Sequence, residues 1–203
     1  MTAVPSNLRR EVTNLPNLVT MGRVVVIPFV LYFMDNFNPL RTFIASLLWL
    51  VAAGGDFLDG YLARSRGQVS MLGKFLDPLA DKLIVNAVLV YMVALGRVPA
   101  WIVVVLIGRD LAVNGLRSIA SAQGLVIAAS DGGKIKTALQ LCAIMLLLIH
   151  FRYPALGVDI APVDYHKAGW WLLVVSTVVS LYSGAEYMRH FLAAALKQSR
   201  AAT

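Results

Sequence analysis

Charged residues are scarce in this chain of 203 residues. They make up 14% of it, whereas hydrophobic residues make up 59%; a soluble globular domain usually has about 25% charged and about 45–50% apolar residues. A water-facing body of this size would lack polar surface, and a disordered chain would be far less hydrophobic. The composition therefore predicts an all-α integral membrane protein, with residues 1–203 forming a single domain.

Cysteine and acidic residues are also few. The single Cys142 excludes a disulfide within one chain, and 11 Asp and Glu against 18 Lys and Arg give a net charge of +7. In a soluble protein this balance would suggest a nucleic-acid partner. Here basic residues at cytoplasmic helix ends, facing anionic membrane lipids, explain the charge, and no nucleic-acid partner is expected.

Six apolar runs are separated by charged residues or by proline and glycine. Because a span needs about 20 mostly apolar residues, we predict six transmembrane helices at about 18–35, 40–64, 74–96, 98–122, 133–151 and 168–195. A short interfacial helix is predicted at 5–14. Most of the Lys and Arg residues fall on the side that holds both termini, so this side is predicted to be cytoplasmic.

Four aspartates lie where the second predicted span ends and the third begins. Asp56 and Asp59 are three residues apart, and Asp77 and Asp81 are four apart, so each pair shares a helix face. The short connection predicts antiparallel neighbouring helices and one cluster of four carboxylates. Such a cluster suits Mg²⁺, Mn²⁺ or Ca²⁺, and two ions could clamp a phosphoryl displacement. The alternative is that these acids pair with nearby cations: Arg64, Arg66, Lys74 and Lys82.

Small residues accompany the acids. Gly60, Ala63 and Gly73 would let a bulky headgroup or a neighbouring backbone approach closely, although a single glycine is more often helix packing. Arg64 carries a planar donor fork that suits a phosphate. Three residues lie at the start of the first predicted span: Asn17, Thr20 and Arg23. Two interpretations of them stay open, nucleotide binding and simple capping of the helix.

The stretch from Asp56 to Asp81 reads Asp-x2-Asp-Gly-x2-Ala-Arg-x8-Gly-x3-Asp-x3-Asp, and it resembles the signature of the CDP-alcohol phosphotransferases. Three segments are also similar to bacterial phosphatidylglycerophosphate synthases, and the second of them overlaps the end of this stretch: NLPNLVTMGRVVVIPFVL, KFLDPLADKLIV and GRDLAVNGLRSIASAQGLVIAASDGGKIKTALQ. Two positions depart from the pattern of these enzymes. The residue before Asp56 is Gly55, where a hydroxyl residue is frequent. An apolar or aromatic residue is common just before the glycine-lysine pair, whereas here Asp131-Gly132-Gly133 precedes Lys134.

The resemblance implies a six-helix enzyme of the bacterial cytoplasmic membrane, commonly dimeric, with its active site on the cytoplasmic side. It implies transfer of a phosphatidyl group from CDP-diacylglycerol to sn-glycerol 3-phosphate, giving phosphatidylglycerol phosphate and CMP. By position, the four aspartates would hold two Mg²⁺ or Mn²⁺ ions, and Asp81 would also act as general base. The CDP-diacylglycerol pocket would be lined by Gly60, Ala63, Arg64 and Gly73. Asn17 and Thr20 are added to this pocket from their position at the start of the first span.

A second basic group lies in the later run. Arg109 interrupts an apolar stretch, where a guanidinium needs an anionic partner, and Arg117 lies eight residues on. Lys134 and Lys136 open the next span. We predict that these four residues bind the phosphate of glycerol 3-phosphate. Pairing of Arg109 with Asp110, and ordinary membrane anchoring by the two lysines, remain alternatives.

Two other functions stay open at this point. The same chemistry could use another acceptor, such as inositol phosphate, serine or phosphatidylglycerol. More distantly, the acid cluster could line the ion path of a divalent-cation transporter, which would leave the Gly-Ala-Arg positions between the acids unexplained.

Overall fold

The computed structural model of the chain describes residues 15–35, 37–66, 71–123, 131–154 and 162–202. These ranges contain six helices: α1 (Leu15–Phe33), α2 (Pro39–Arg66), α3 (Met71–Ala94), α4 (Ala100–Ala122), α5 (Asp131–Ile149) and α6 (Tyr165–Ala202). Between α5 and α6, β1 (Arg152–Pro154) and β2 (Pro162–Asp164) pair antiparallel. The predicted all-α class is confirmed, and this small hairpin adds the only strands among the described residues.

Local chemistry sets several helix ends. Asn38 caps α2 through Oδ1, which accepts hydrogen bonds from the backbone N–H groups of Leu40 and Arg41 at 3.1 and 3.2 Å. At the end of α3, Gly96 has a φ of 71°. Its N–H donates to the Val93 carbonyl and that of Arg97 to the Met92 carbonyl, which is the Schellman pattern.

The helices pack around one apolar core. Helix α1 lies against both α2 and α3, α5 lies against α2, and α4 and α5 lie against α6. Helices α5 and α6 approach each other closely at Gly169, where a Cβ would meet the Leu147 backbone nitrogen at 2.8 Å. The largest fully buried side chains of the core include Trp49, Leu89, Met92, Ile102, Leu106, Ile144, Leu147, Leu148 and Leu173.

At one end of the bundle, Arg97 connects three parts of the fold through hydrogen bonds. Its guanidinium is buried, with Nη1 donating to the Leu147 carbonyl at 3.0 Å and Nη2 donating to the Asp35 carbonyl. The loop after α3, the end of α5 and the connection between α1 and α2 therefore meet at one side chain. On the neighbouring hairpin, Asp164 caps α6 by accepting the Lys167 N–H at 3.0 Å.

Much of the outer surface is apolar. Several large apolar side chains on four helices are at least 60% exposed: Val25, Val51, Val104, Leu111 and Val178. Within the described residues, one helical stretch, Tyr165–Lys197, has the length and composition to cross a bilayer, and shorter apolar stretches lie at Thr20–Phe33, Pro39–Ala53 and Lys82–Ala94.

The six predicted spans correspond to the six helices, with end shifts of up to seven residues. The third and fifth were expected to reach 96 and 151 but end at Ala94 and Ile149, because Gly96 and His150 adopt positive φ angles of 71° and 63°. Their crossing of a membrane stays a prediction. The predicted interfacial helix at 5–14 lies outside the described residues.

Candidate functional site

One buried carboxylate lies where helices α3, α4 and α5 meet. Asp110, near the middle of α4, is 8% exposed. Its Oδ2 accepts from Lys82 Nζ of α3 at 2.8 Å, and Lys136 Nζ of α5 lies 2.7 and 2.9 Å from Oδ1 and Oδ2. Arg109 Nη1 contacts Oδ1 at 3.1 Å. We call Lys82, Arg109, Asp110 and Lys136 the charge cluster.

Arg109 extends the charge cluster to a fourth helix. Its Nε donates to the Ser180 carbonyl at 2.9 Å, and its Nη2 donates to Ser183 Oγ at 2.6 Å, both on α6. The guanidinium is therefore fixed at three points. Since α4 and α6 pack directly against each other, this side chain has one preferred orientation.

Lys136 is the most deeply buried member of the charge cluster, at 2% exposure. Its own carbonyl accepts a hydrogen bond from Ser176 Oγ of α6 at 3.3 Å. Lys82 is more accessible, and its side chain is 38% exposed. A small cavity beside these groups is lined by Lys82, Val85, Asp110, Lys136, Thr137, Gln140 and Leu141.

The charge cluster holds three cations and one carboxylate, which leaves a formal surplus of two positive charges. A surplus of positive charge beside a small cavity favours an anionic ligand, because lone cations are costly in a poorly solvated setting. The cluster can therefore bind an anion such as a phosphate, and its arginine and lysine donors have the charge-assisted hydrogen bonds for it.

The structure brings together two of the four residues predicted to bind the acceptor phosphate. Arg109 and Lys136 both contact Asp110. The alternative that Arg109 pairs with Asp110 is therefore confirmed as a contact. Arg117 is exposed and lies two turns further along α4, with its guanidinium carbon 6.0 Å from the Tyr187 ring centroid. Lys134 is exposed near the start of α5, and side chains two residues apart point to different helix faces.

The four predicted metal ligands lie on two helices. Asp56 and Asp59 are in α2, and Asp77 and Asp81 are in α3; their side chains lie outside the described residues. Helix α1 packs against both α2 and α3. Elsewhere in the described part of the chain, no group of three or more His, Cys, Asp or Glu side chains could share a metal ion.

The residues predicted to bind the nucleotide lie on α1, α2 and α3. Thr20 of α1 is buried at 3% exposure, and Arg23, one turn later, is buried at 5%. The remaining positions are helical, with side chains outside the described residues: Asn17 in α1, Gly60, Ala63 and Arg64 in α2, and Gly73 in α3.

The sequence pattern does not identify Lys82 or Asp110 as residues of the acceptor site. It indicates Lys82 only as a possible ion-pair partner for the aspartates, and Asp110 only as a partner for Arg109. A signal was present for Asp110: a carboxylate in the apolar run WIVVVLIGRDLAV is as costly as the arginine before it, and it requires partners of its own.

Known proteins resemble the chain over most of its length. The family model for CDP-alcohol phosphatidyltransferase matches residues 13–182. The CDP-diacylglycerol–glycerol-3-phosphate 3-phosphatidyltransferase of Bacillus subtilis (strain 168) is 38% identical over 186 residues, covering 86% of this chain and 93% of that protein. Proteins with the same name from Rickettsia bellii and Mycoplasma pneumoniae are 30% and 32% identical, covering 87% and 91% of this chain and 94% and 90% of theirs. The chain belongs to the CDP-alcohol phosphatidyltransferase family.

Proposed function

We propose that this chain transfers the phosphatidyl group of CDP-diacylglycerol to sn-glycerol 3-phosphate, giving phosphatidylglycerol phosphate and CMP. Relatives with the corresponding name are 30–38% identical and match more than four-fifths of the chain. The structural observation that supports a phosphorylated acceptor is the charge cluster, because its two surplus positive charges suit a phosphate-bearing alcohol; the names of the relatives favour glycerol 3-phosphate over inositol phosphate.

The phosphate of the acceptor would bind at the charge cluster through Arg109 and Lys136. Each of these cations has donors left after its contacts with Asp110, since an ammonium has three and a guanidinium five. Lys134 and Arg117, both exposed, would add charge at the approach to the pocket. A serine or phosphatidylglycerol acceptor would leave these cations without a phosphomonoester to bind.

The metal site would consist of Asp56, Asp59, Asp77 and Asp81. Four carboxylates form an all-oxygen donor set, which fits Mg²⁺ or Mn²⁺ and gives zinc no preferred nitrogen or sulfur ligand. When bound, two such ions would supply positive charge to the diphosphate of the lipid substrate. The cytidine diphosphate itself would lie along α1, α2 and α3, near Asn17, Thr20, Gly60, Ala63, Arg64 and Gly73.

Asp81 would act as general base. Its carboxylate would take the proton from the 1-hydroxyl of glycerol 3-phosphate, and the oxygen would attack the diacylglycerol-linked phosphorus. The bond from that phosphorus to the bridging oxygen then breaks, and CMP leaves with the electron pair. Lys82 is the next residue after Asp81 on α3, so the phosphate and the proton acceptor would be positioned from one helix.

We further propose that the enzyme is a multi-pass protein of the bacterial cytoplasmic membrane, one domain over 1–203, with both termini and the active site on the cytoplasmic side. Large apolar side chains are exposed on α1, α2, α4 and α6. They support this proposal, because such side chains are suited to contact with the hydrocarbon core of a bilayer. CDP-diacylglycerol would enter sideways from the bilayer. A homodimer is expected from the family resemblance.

The test uses purified protein, CDP-diacylglycerol and Mg²⁺, with glycerol 3-phosphate, inositol phosphate, serine and phosphatidylglycerol offered separately. We expect CMP release with glycerol 3-phosphate alone, and its loss on addition of a chelator with recovery by excess Mg²⁺ or Mn²⁺. Release with another acceptor would keep the family chemistry and refute the assigned acceptor. If no acceptor supports release, metal flux across sealed vesicles tests the transporter alternative.

A further inference from the structure

We propose that Asp110 is a positioning residue that arranges Lys82, Arg109 and Lys136 to receive the phosphate of the acceptor. This inference rests on the proposed function, because it concerns how that enzyme binds its phosphorylated alcohol. It adds Asp110 and Lys82 to the acceptor site, and it assigns Asp110 a role without direct contact with substrate.

Asp110 has no free acceptor capacity in the observed arrangement. A carboxylate offers about four lone-pair sites. Four donor contacts fill them: one from Lys82, two from Lys136 and one from Arg109, all at 2.7–3.1 Å. A carboxylate so engaged does not suit a metal ligand or a general base, and its three cationic partners point instead to an organising role.

Mutual repulsion would separate the cations without Asp110. Three positive charges within hydrogen-bond distance of one group repel strongly where solvent is limited. Lys136 is 2% exposed, so little bulk solvent is present to stabilise its charge in place of the carboxylate. Asp110 therefore sets the spacing of cations that come from three helices, α3, α4 and α5.

The net charge of the cluster also suits a phosphate because the cluster contains a single carboxylate. Three cations and Asp110 give a surplus of two positive charges, and a phosphate monoester carries about −1.5 to −2 near neutral pH. A phosphomonoester would bring the cluster close to neutrality, whereas a neutral acceptor would leave it charged. Asp110 thus contributes to selection of a phosphorylated acceptor as well as to geometry.

Lys82 links this arrangement to the proposed base. Its Nζ reaches Asp110 at 2.8 Å, and its backbone follows directly on that of Asp81 in α3. The contact between Lys82 and Asp110 therefore places a member of the charge cluster next to the proposed base in the chain. The acceptor phosphate and its reacting hydroxyl would be placed by one connected set of contacts.

The first test compares wild type with Asp110→Asn, which keeps the shape of the side chain and removes its charge. Steady-state CMP release is measured with glycerol 3-phosphate and CDP-diacylglycerol varied in turn. We expect the KM for glycerol 3-phosphate to rise by about tenfold or more, with the KM for CDP-diacylglycerol within about twofold of wild type. At one fixed concentration, glycerol 3-phosphate should also raise the melting temperature of wild type by more than that of the variant.

A second variant, Asp110→Glu, tests the same role if Asp110→Asn does not fold. It keeps the negative charge that stabilises Lys136 and displaces the carboxylate by about one methylene, roughly 1.5 Å. We expect it to fold and to show a KM for glycerol 3-phosphate between those of wild type and Asp110→Asn. The matched control is Asp35→Asn, which removes another arginine-paired carboxylate, 3.0 Å from Arg41 Nη1, in the loop between α1 and α2; both KM values should stay at wild type.

These measurements distinguish failure of the positioning role of Asp110 from failure of the proposed enzyme function. Unchanged KM for glycerol 3-phosphate in Asp110→Glu, or equal rises in both KM values for Asp110→Asn, would overturn the positioning role while leaving the enzyme function intact. If wild type releases no CMP with glycerol 3-phosphate, the proposed function fails and the inference fails with it. A selective KM effect graded from Glu to Asn supports both.

Discussion

Gly184 of α6 lies directly against the side chain of Arg109. A Cβ at position 184 would lie 3.2 Å from Nε and 3.3 Å from Cγ of that arginine. The absence of a side chain at Gly184 therefore leaves the space through which Arg109 reaches Ser180, Ser183 and Asp110. This contact ties the helix packing of α4 and α6 to the geometry of the proposed phosphate site.

Gly184→Ala should impair acceptor binding more than folding. The added methyl group must displace Arg109 by a few tenths of an ångström, and a guanidinium fixed at three points cannot shift without weakening at least one hydrogen bond. We expect the KM for glycerol 3-phosphate to rise by about three- to tenfold. The melting temperature should change little, because alanine in a helix offsets the crowding by about 1 kcal/mol relative to glycine.

The control is Gly108→Ala, next to Arg109 in the chain. A Cβ at Gly108 would meet nothing within 4 Å, so this variant has the same gain in helix propensity without the contact. Its KM should equal that of wild type. Equal KM values in both alanine variants would show that Arg109 tolerates the methyl group and that this contact does not govern acceptor binding.

The two lysines at the start of α5 should differ in their importance. Lys136 is buried on Asp110, whereas Lys134 is exposed. Lys136→Met should raise the KM for glycerol 3-phosphate by about tenfold or more, because it removes a charged hydrogen-bond donor from the cluster. Lys134→Met should raise it by less, since exposed charges are screened by solvent and salt. Kinetics at low and high salt check this order, and a larger effect at Lys134 would contradict the buried phosphate site.

The sequence predicted the helices well because apolar runs of sufficient length leave few other structures in a chain with so little charge. It missed the hairpin for a physical reason. Each strand has three residues, and their pairing, with the Arg152–Asp164 ion pair at 3.1 Å, depends on how α5 and α6 approach each other. No local pattern of that length separates such strands from a loop.

The candidate site could be predicted only in part from the sequence, because some of its contacts join residues on different helices. The spacing of the four aspartates is local, so their helix assignments followed from the sequence. The charge cluster joins α3, α4 and α5, and Lys82 reaches Asp110 only through the packed fold. From the sequence alone, two interpretations of Arg109 stay open. In the structure, Arg109 contacts Asp110 and also lies among other cations, so the contact with Asp110 leaves the proposed role in phosphate binding possible.

Arg97→Gln should destabilise the fold. The buried guanidinium satisfies carbonyl groups at the end of α5 and at Asp35, and glutamine is too short to reach them all. Buried acceptors without partners should lower the free energy of unfolding by about 2–4 kcal/mol, seen as a lower melting temperature in detergent. Burial lowers the pKa of Arg97 to about 10, against the opposing effect of Asp35, so the cation persists near neutral pH and no pH dependence is expected there.

The control for this prediction is Arg41→Gln, which removes a surface arginine that contacts the Asp35 side chain and the Tyr32 carbonyl. Its side chain is 36% exposed, and surface ion pairs contribute little. A melting temperature of Arg97→Gln equal to that of Arg41→Gln would mean that the buried guanidinium does not hold the end of α5 in place.

Asp81→Asn should stop turnover while the protein remains folded in the membrane. Asparagine keeps the shape of the side chain but cannot accept the proton of the acceptor hydroxyl, and loss of a general base costs about 10²- to 10⁴-fold in rate. The loss should appear in kcat, with the KM for glycerol 3-phosphate much less affected, because the phosphate would bind at the charge cluster. This pattern is the reverse of that expected for Asp110→Asn, so the two aspartates can be told apart in one set of assays. Wild-type turnover by Asp81→Asn would refute its assignment as the base, and a rise in the KM for glycerol 3-phosphate with unchanged kcat would move Asp81 from proton transfer to acceptor binding.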